Sequence, residues 1–460
     1  MPVSDIKIKD YNYFFFLGIG GIGMSALARF FNAKGKKVAG YDKTQTVLTK
    51  QLEQEGMLIH YHDDIKNIPS AFMDKTQSLI IYTPAIPHNN TELNYFQEQK
   101  FNIIKRAAVL GIISKEYQTI AVAGTHGKTT ISTMTTHLLS QSELKANGFV
   151  GGISKNFDSN FILAPDSDIV VTEADEFDRS FLQLYPQIAL ISSMDADHLD
   201  IYGTKNDLQD SFFEFVSQIK PNGYLVHKKG LNIPNRKNIH AFSYDINNSK
   251  ADFYAYNIQL ETDLYRFDLH TPDREILNLK LGVPGWINVE NAVGASALAI
   301  LSGIKDNELR KGLENYQGVK RRFDYRIKTS KIIYIDDYAH HPEELKAIIN
   351  SVKSIYPNKI ITGIFQPHLY TRTRDFVDGF AQSLSLLDKL FLLDIYPARE
   401  LPIKGIDASI IFDKVDLEHK ELCTKENILD HLKNLETDVL LTLGAGDIDQ
   451  LVPQIEKLLK

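Results

Sequence analysis

The sequence predicts an α/β protein of about three domains with mostly parallel sheets. Its 460 residues exceed what a single core organises, at roughly 100 to 200 residues per domain. Short apolar runs rich in β-branched and aromatic residues alternate with helical stretches from end to end, the pattern of βαβ units. At two places a glycine-rich turn stands directly between such a run and a helical stretch.

The first block, 1–108, holds candidate strands at Tyr13–Leu17, Lys37–Tyr41, Ser78–Tyr82 and Asn102–Lys105, with helices near Met24–Ala33 and Thr46–Glu55. The second, 109–320, opens on the strand Thr119–Ala123 and continues through Ile169–Thr172, Ile188–Ser192 and Tyr224–His227. Alternation over Ala251–Leu269 reads as an antiparallel edge, and a small-residue helix at Asn288–Leu301 closes the block. The third, 321–460, places strands at Ile332–Ile335, Ile360–Phe365, Lys389–Leu393 and Val439–Leu443, between helices such as Pro342–Val352 and Arg374–Leu387.

Composition excludes several classes. With 43% apolar and 24% charged residues the chain is neither disordered nor fibrous. A net charge of −7 and no long basic run leave no footprint for nucleic acid. Cys423 stands alone, so no internal disulfide and no cysteine zinc cluster can form, which fits a reducing compartment. The apolar stretch Tyr13–Met24 contains four glycines and follows Asp5, Lys7, Lys9 and Asp10, unlike an export signal. A cytoplasmic protein without membrane insertion is expected, as a monomer or a homodimer.

Gly18, Gly20 and Gly23 form a G-x-G-x-x-G pattern between the Phe14–Leu17 run and a helix opening at Met24 and Ser25. Glycines permit a tight turn and close backbone approach, so amides at the helix N-terminus hold a diphosphate. Asp42, at the end of the next strand, stands where an acid reaches a ribose hydroxyl. The pattern fits a nicotinamide or flavin cofactor, another nucleotide diphosphate, or a turn with no ligand.

The stretch Gly124, Thr125, His126, Gly127, Lys128, Thr129 and Thr130 also joins a strand to a helix. A lysine ammonium meets β and γ phosphates, backbone amides cradle them, and a hydroxyl ligates Mg²⁺, so this loop is expected to bind ATP. It departs from the usual eight-residue spacing, with Val122 where the first glycine stands. The next strand runs into Glu173, Asp175 and Glu176, of which Glu173 is the expected metal ligand. The strand after it ends near Asp195, Asp197, His198 and Asp200, where a neutral imidazole can hold a divalent ion. His60, His62 and His227 stand apart from any such cluster and read as structural or surface residues. In the third block, Asp336 to Pro342 and Phe365 to Arg372 follow strands and combine imidazoles, hydroxyls and charges. Tyr338 and Tyr370 read equally well as packing residues.

Taken in order, GIGGIGMS (18–25), GTHGKTT (124–130), EADEFDRSFL (173–182), DADHLDIYG (195–203), DDYAHHPEE (336–344), FQPHLYTRT (365–373) and GAGDI (444–448) resemble the Mur ligases. Within that family the series looks like the branch that joins L-alanine to UDP-N-acetylmuramate. The resemblance implies a Rossmann-like N-terminal domain for the UDP-sugar, a central P-loop ATPase-like domain with a mostly parallel sheet, and a Rossmann-like C-terminal domain closing over the amino acid. ATP, UDP-N-acetylmuramate and L-alanine are the implied substrates, with Mg²⁺ or Mn²⁺. Gly20, Gly21, Ile22, Gly23, Met24 and Ser25 would hold the UDP diphosphate, not NAD, with Asp42, Thr83 and Arg106 completing that pocket and Ser180 on the muramoyl side. Lys128, with metal at Thr129, Glu173 and His198, would neutralise γ-phosphate and carboxylate as they approach. Asn291, Arg322 and Asp337 match nucleotide positions, Asp337 as a ribose contact. His341, His368, Tyr370 and Arg372 match the alanine side, His341 and Arg372 among the catalytic group.

Three positions depart from that pattern: Ile287 stands where many relatives have His, Leu369 replaces an Arg, and Ala108 replaces an acid. Two rival readings stay open. A recycling ligase that joins a preformed tripeptide to the same UDP-sugar would differ in the third block. A nicotinamide-dependent dehydrogenase would leave Lys128 and every later motif unused.

Overall fold

The computed structural model describes residues 6–460 apart from 198, 399 and 434, with the backbone alone at 199 and 200. Contacts gather the chain into two compact units. One holds everything up to Asp245 with Ser249–Phe253 and Gly294–Gly312; the other holds Ile246–Asn248, Tyr254–Val293 and Leu313–Lys460.

The first unit carries two sheets. Strands β1 (Tyr13–Leu17), β2 (Lys37–Tyr41), β3 (Leu58–His60), β4 (Ser78–Tyr82) and β5 (Asn102–Lys105) are all parallel, in the order β3-β2-β1-β4-β5. Phe14, Phe15, Phe16 and Leu17 are fully buried, as a strand covered on both faces requires. Phe14 stacks on Phe31 of the helix Ile22–Ala33 at 3.9 Å, and Phe15 meets Phe96 at 5.2 Å on the other face. Strand order reverses at β1 and β4, which opens a crevice at their C-terminal ends.

The second sheet contains β6 (Gln118–Ala123), β7 (Asn147–Ser154), β8 (Ser159–Ile162), β9 (Ile169–Glu173), β10 (Ile188–Ile191), β11 (Gly223–Lys228) and β12 (Ile239–Ile246). Their order is β12-β11-β10-β6-β9-β7-β8, parallel throughout except for the β7–β8 hairpin. β6 is therefore flanked by β9 and β10, and the three expected site motifs leave adjacent strand ends.

The second unit carries an antiparallel meander, β13 (Phe253–Glu261), β14 (Leu264–His270) and β15 (Glu275–Lys280). It also carries a six-stranded sheet of β16 (Asp324–Lys328), β17 (Ile333–Asp337), β18 (Ile361–Phe365), β19 (Lys389–Leu393), β20 (His419–Cys423) and β21 (Val439–Leu443). The order is β16-β17-β21-β18-β19-β20, with only β16 antiparallel. Leu345, Ile348, Ile349 and Val352 form the buried face of the helix Pro342–Ile355, in the core beneath this sheet.

Every strand expected from an apolar run is present. The alternation over Ala251–Leu269 resolves into the antiparallel pair β13–β14. The helix expected over Arg374–Leu387 is instead two, Tyr370–Asp375 and Val377–Leu384, broken at Phe376. Among the described residues, no helix is long and apolar enough to cross a membrane.

Candidate active site

After β6 the chain turns through Gly124 (φ +128°) and Gly127 (φ +81°) into the helix Lys128–Ser140, using backbone conformations that favour glycine. A Cβ at Gly124 would stand 2.2 Å from Ser192 Oγ, so the loop lies directly on the end of β10. Ser193 Oγ accepts the His126 N–H at 2.9 Å and bonds Thr125 Oγ1 at 2.8 Å, while the Ser192 hydroxyl donates to the His126 carbonyl. Thr125 Oγ1 in turn accepts the Asp195 N–H at 3.1 Å. The result is a preset loop ahead of a helix N-terminus, with Thr130 on the first turn, the arrangement that receives phosphate.

Lys128 Nζ lies 2.9 Å and 2.8 Å from the two carboxylate oxygens of Glu176 and donates to the Gly124 carbonyl at 2.6 Å. The Glu176 side chain is 1% exposed. Burial opposes the ammonium charge, but Glu176, Asp175 and Glu173 outweigh it and hold the lysine above its ordinary pKa. Thr129 Oγ1 donates to Glu173 Oε2 at 2.9 Å, and the Gly151 N–H donates to the same oxygen at 3.1 Å. A hydroxyl and a carboxylate side by side are the hard oxygen donors that Mg²⁺ or Mn²⁺ takes, so the residues present fit such an ion. His198 lies outside the described residues. His126 Nε2 stands 3.6 Å from Asp195 Oδ2.

The other glycine loop is built similarly. Gly21 is the N-cap of the helix Ile22–Ala33, which places Ile22, Gly23, Met24 and Ser25 in its first turn. Asp42 Oδ2 accepts the Gly20 N–H at 2.8 Å, so the residue expected at a ribose also secures the turn. A Cβ at Gly18 would stand 2.7 Å from Thr83 Cγ2, and one at Gly23 would stand 2.3 Å from Arg106 Nη1. These glycines therefore admit Thr83 and Arg106, and the expected pocket residues come together. Arg106 Nη2 stands 3.9 Å from Asp175 Oδ2. Ser180 lines a cavity of about 320 Å³ with Tyr82, Lys105, Arg106 and Arg179. Asp178 and Arg179 both adopt φ +53°, uncommon for side chains with a Cβ, and the Arg179 guanidinium lies 5.3 Å over the Tyr202 ring.

In the second unit, Arg321 and Arg322 lie over the Tyr338 ring at 5.2 Å and 4.9 Å, so Tyr338 is a cation–π platform and not plain packing. Asp337 is buried and accepts the N–H groups of Phe323 at 2.7 Å and Ala339 at 2.8 Å. Burial, opposed by Arg322 and those two amides, raises its carboxyl to about 6. Both oxygens of the expected ribose contact thus serve the backbone. Asn291 lies on the helix Trp286–Leu301 and donates to Asn288 Oδ1 at 3.2 Å.

His341 is 5% exposed. It caps the helix Pro342–Ile355, its Nδ1 accepting the Glu343 N–H at 3.4 Å and its ring edge-on to Phe376 at 4.9 Å. Arg372 is buried, and its Nη1 lies 3.2 Å from His368 Nδ1. The His340 and His368 rings stand 6.1 Å apart, which joins the two third-block motifs. Tyr370 donates its N–H to Glu400 Oε2 at 2.5 Å, and Thr371 adds its own N–H at 3.1 Å and its hydroxyl. Residues that the sequence did not single out include Ser192, Ser193, Gly151 and Glu400. Only the serine pair carried a signal, as small polar residues at a strand end.

Three family models match in chain order: the Mur ligase family, catalytic domain, over 14–118; the Mur ligase middle domain over 122–299; and the Mur ligase, glutamate ligase domain, over 321–446. A UDP-N-acetylmuramate--L-alanine ligase of Parabacteroides distasonis is 51% identical, covering 99% of this chain and 98% of its own length. One of Phocaeicola vulgatus is 49% identical over 96% of each chain. The solved UDP-N-acetylmuramate-alanine ligase of Thermotoga maritima superposes with a TM-score of 0.80 at 26% identity, covering 97% of this chain and 98% of that one. A murein peptide ligase of Psychrobacter arcticus shares the fold, with a TM-score of 0.70 at 21% identity over 97% and 98% of the two chains. On its sequence and its fold, the chain belongs to the Mur ligase family.

Proposed function

We propose that the chain joins L-alanine to the lactyl carboxylate of UDP-N-acetylmuramate, with ATP cleaved to ADP and phosphate. The observation that carries this reading is the 51% identity across 99% of the chain to a ligase named for that reaction. The paired glycine loops and the Lys128, Thr129 and Glu173 cluster supply the chemistry it needs.

A carboxylate acylates poorly because oxide is a poor leaving group. The γ-phosphoryl bond to ADP breaks and a new P–O bond forms on the lactyl carboxylate, giving an acyl phosphate. The alanine amine then forms the C–N bond and sheds a proton, and the tetrahedral intermediate releases phosphate as the C–O bond breaks. Both steps bring anions together, so positive charge must be in place beforehand. Lys128 supplies one such charge. Thr129, Glu173 and, by family resemblance, His198 would hold Mg²⁺ or Mn²⁺, which would supply another.

The helix N-terminus at Gly20 to Ser25, with Asp42, Thr83 and Arg106, receives the UDP diphosphate, and Ser180 lines the muramoyl side. Asn291, Arg322 and Asp337 serve the nucleotide, Asp337 through the backbone it clamps. Arg372, oriented by His368, presents a guanidinium fork suited to the alanine carboxylate. Tyr370 and His341 shape that side, His341 as a helix cap. With a single cysteine and these substrates, the protein belongs to the cytoplasm.

The fold is shared with a murein peptide ligase, so a preformed tripeptide is the acceptor to test against. Phosphate release is measured with ATP, Mg²⁺ and UDP-N-acetylmuramate plus either L-alanine or tripeptide. Turnover with alanine is expected, and turnover with tripeptide alone overturns the proposal.

A further inference from the structure

The first turn of the helix Ile22–Ala33 is fastened from the ATP-binding sheet. Asn160, on β8 and fully buried, donates through Nδ2 to the Ile22 carbonyl at 2.5 Å and to Ser25 Oγ at 2.9 Å. Its Oδ1 accepts Arg29 Nη1 at 2.5 Å. Arg29 is 7% exposed and holds Glu55 through Nε at 2.9 Å and Nη2 at 2.6 Å. Glu55 is the C-cap of the helix Val47–Gln54, the element that follows the Asp42 turn.

An amide buried without bonds is costly, and an apolar residue would fill the same space. Asn160 instead places its NH₂ group on Ile22, within the glycine loop, and on Ser25, in the first turn of the helix that follows it. β8 belongs to the same sheet as β6, which carries the phosphate loop. Rings reinforce the seam, with Phe30 lying 5.4 Å from Phe149 and 6.0 Å from Phe161.

We infer that Asn160 is a positioning residue for the nucleotide-sugar: it fixes the diphosphate-binding turn against the ATP-binding sheet, so that one rigid body sets the spacing of the two anions. This rests on the proposed placement of the UDP diphosphate at that turn. Asn160→Asp keeps the acceptor for Arg29 and removes both donations to the turn. About a tenfold rise in KM for UDP-N-acetylmuramate is expected, the scale of two lost hydrogen bonds, with KM for ATP and alanine nearly unchanged and the melting temperature lower by a few degrees. A purely structural role would lower the melting temperature and leave that KM alone.

If the wild-type chain ligates alanine and N160D shows unchanged KM for the UDP-sugar, this inference is wrong while the proposed function stands. If the wild type does not ligate alanine, the proposed function itself fails, and UDP-sugar affinity measured by calorimetry on both proteins still decides the role of Asn160. Should N160D not fold, Arg29→Lys carries the test. It keeps a charge beside Glu55 but gives up the bond to Asn160, and about a threefold rise in the same KM is expected, with no rise overturning the inference.

Discussion

Under the proposed function, Lys128 would answer two anionic claims, the Glu176 carboxylate in the protein and the phosphates of ATP, and Glu176→Gln separates them. The wild-type ammonium meets both Glu176 oxygens, at 2.9 Å and 2.8 Å. Glutamine keeps one neutral oxygen in nearly the same place. A hydrogen bond to a charged partner contributes about 1.5 to 3 kcal/mol and a neutral one about 1, so the substitution costs about 2 kcal/mol without nucleotide. The remaining acids, Asp175 and Glu173, keep the loss below that of a fully orphaned buried charge. For a body of this size that is a fall in Tm of about 4 °C. With saturating ATP and Mg²⁺ the phosphates supply the anionic partner, and the fall should shrink to about 1 °C. Thermal scans of both proteins with and without nucleotide read both numbers. Because the lysine is held above its ordinary pKa, its contribution is complete below that ordinary value and is lost only as pH rises beyond the folded one. The difference should therefore stay flat from about pH 6 to 9. An equal fall with and without ATP would refute the shared-lysine reasoning.

Other substitutions test neighbouring contacts. Gly151→Ala places a Cβ 2.1 Å from Glu173 Oε2; the displaced carboxylate should raise the Mg²⁺ concentration for half-maximal turnover about tenfold, and an unchanged metal titration would count against Glu173 as a ligand. Gly23→Ala drives a Cβ to within 2.3 Å of Arg106 Nη1, so KM for the UDP-sugar should rise about tenfold with KM for ATP constant, read from steady-state kinetics. Asp337, raised by burial to about 6, binds its proton more tightly folded than unfolded. Stability should therefore decline as pH climbs from about 4 to 6, and D337N should flatten that part of a urea-denaturation profile. His137, buried and bonded to the Gly312 carbonyl, is lowered to about 4, so acidification from about pH 6.5 to 4 should cost stability that His137→Gln does not lose.

Legibility in the sequence followed burial. Strands covered on both faces, such as Phe14–Leu17 and Val439–Leu443, read directly as apolar runs. β7 carries Gly148, Gly151 and Gly152, and β20 is an edge strand bearing His419, Lys420 and Glu421, so neither presents a run. β3 has only three residues, too few for a period. The glycine loops were legible because their chemistry demands glycine at fixed spacing. What no local pattern encodes is the pairing of distant residues: Asn160 with Ser25, Ser193 with His126, Glu400 with the turn at Tyr370. The last two pairs join segments that neighbouring strands bring together, and the first joins a helix to a strand of the other sheet, against which it packs. Motif position likewise named Asp337 and His341 but did not reveal that one clamps backbone amides and the other caps a helix.

The charge arithmetic of the chain takes on a local meaning at these loops. A protein of net charge −7 that receives phosphates cannot rely on its overall field, and here three of the described cations near the loops already face carboxylates. Arg106 stands 3.9 Å from Asp175, Lys105 stands 3.9 Å from Asp178, and Lys128 lies 2.8 Å from Glu176. The first two pairs are loose and partly exposed, so solvent screens them and an arriving diphosphate can compete. The third is tight and nearly buried, and an anion that displaced Glu176 alone would leave that carboxylate uncompensated. On the proposed reading, a nucleotide arriving with a divalent cation would avoid this, because Glu173 and Thr129 would hold the cation and its charge would stand where Glu176 gives up part of its own. The same acids that hold Lys128 in place without ligand would thereby favour metal-bound ATP over the bare nucleotide.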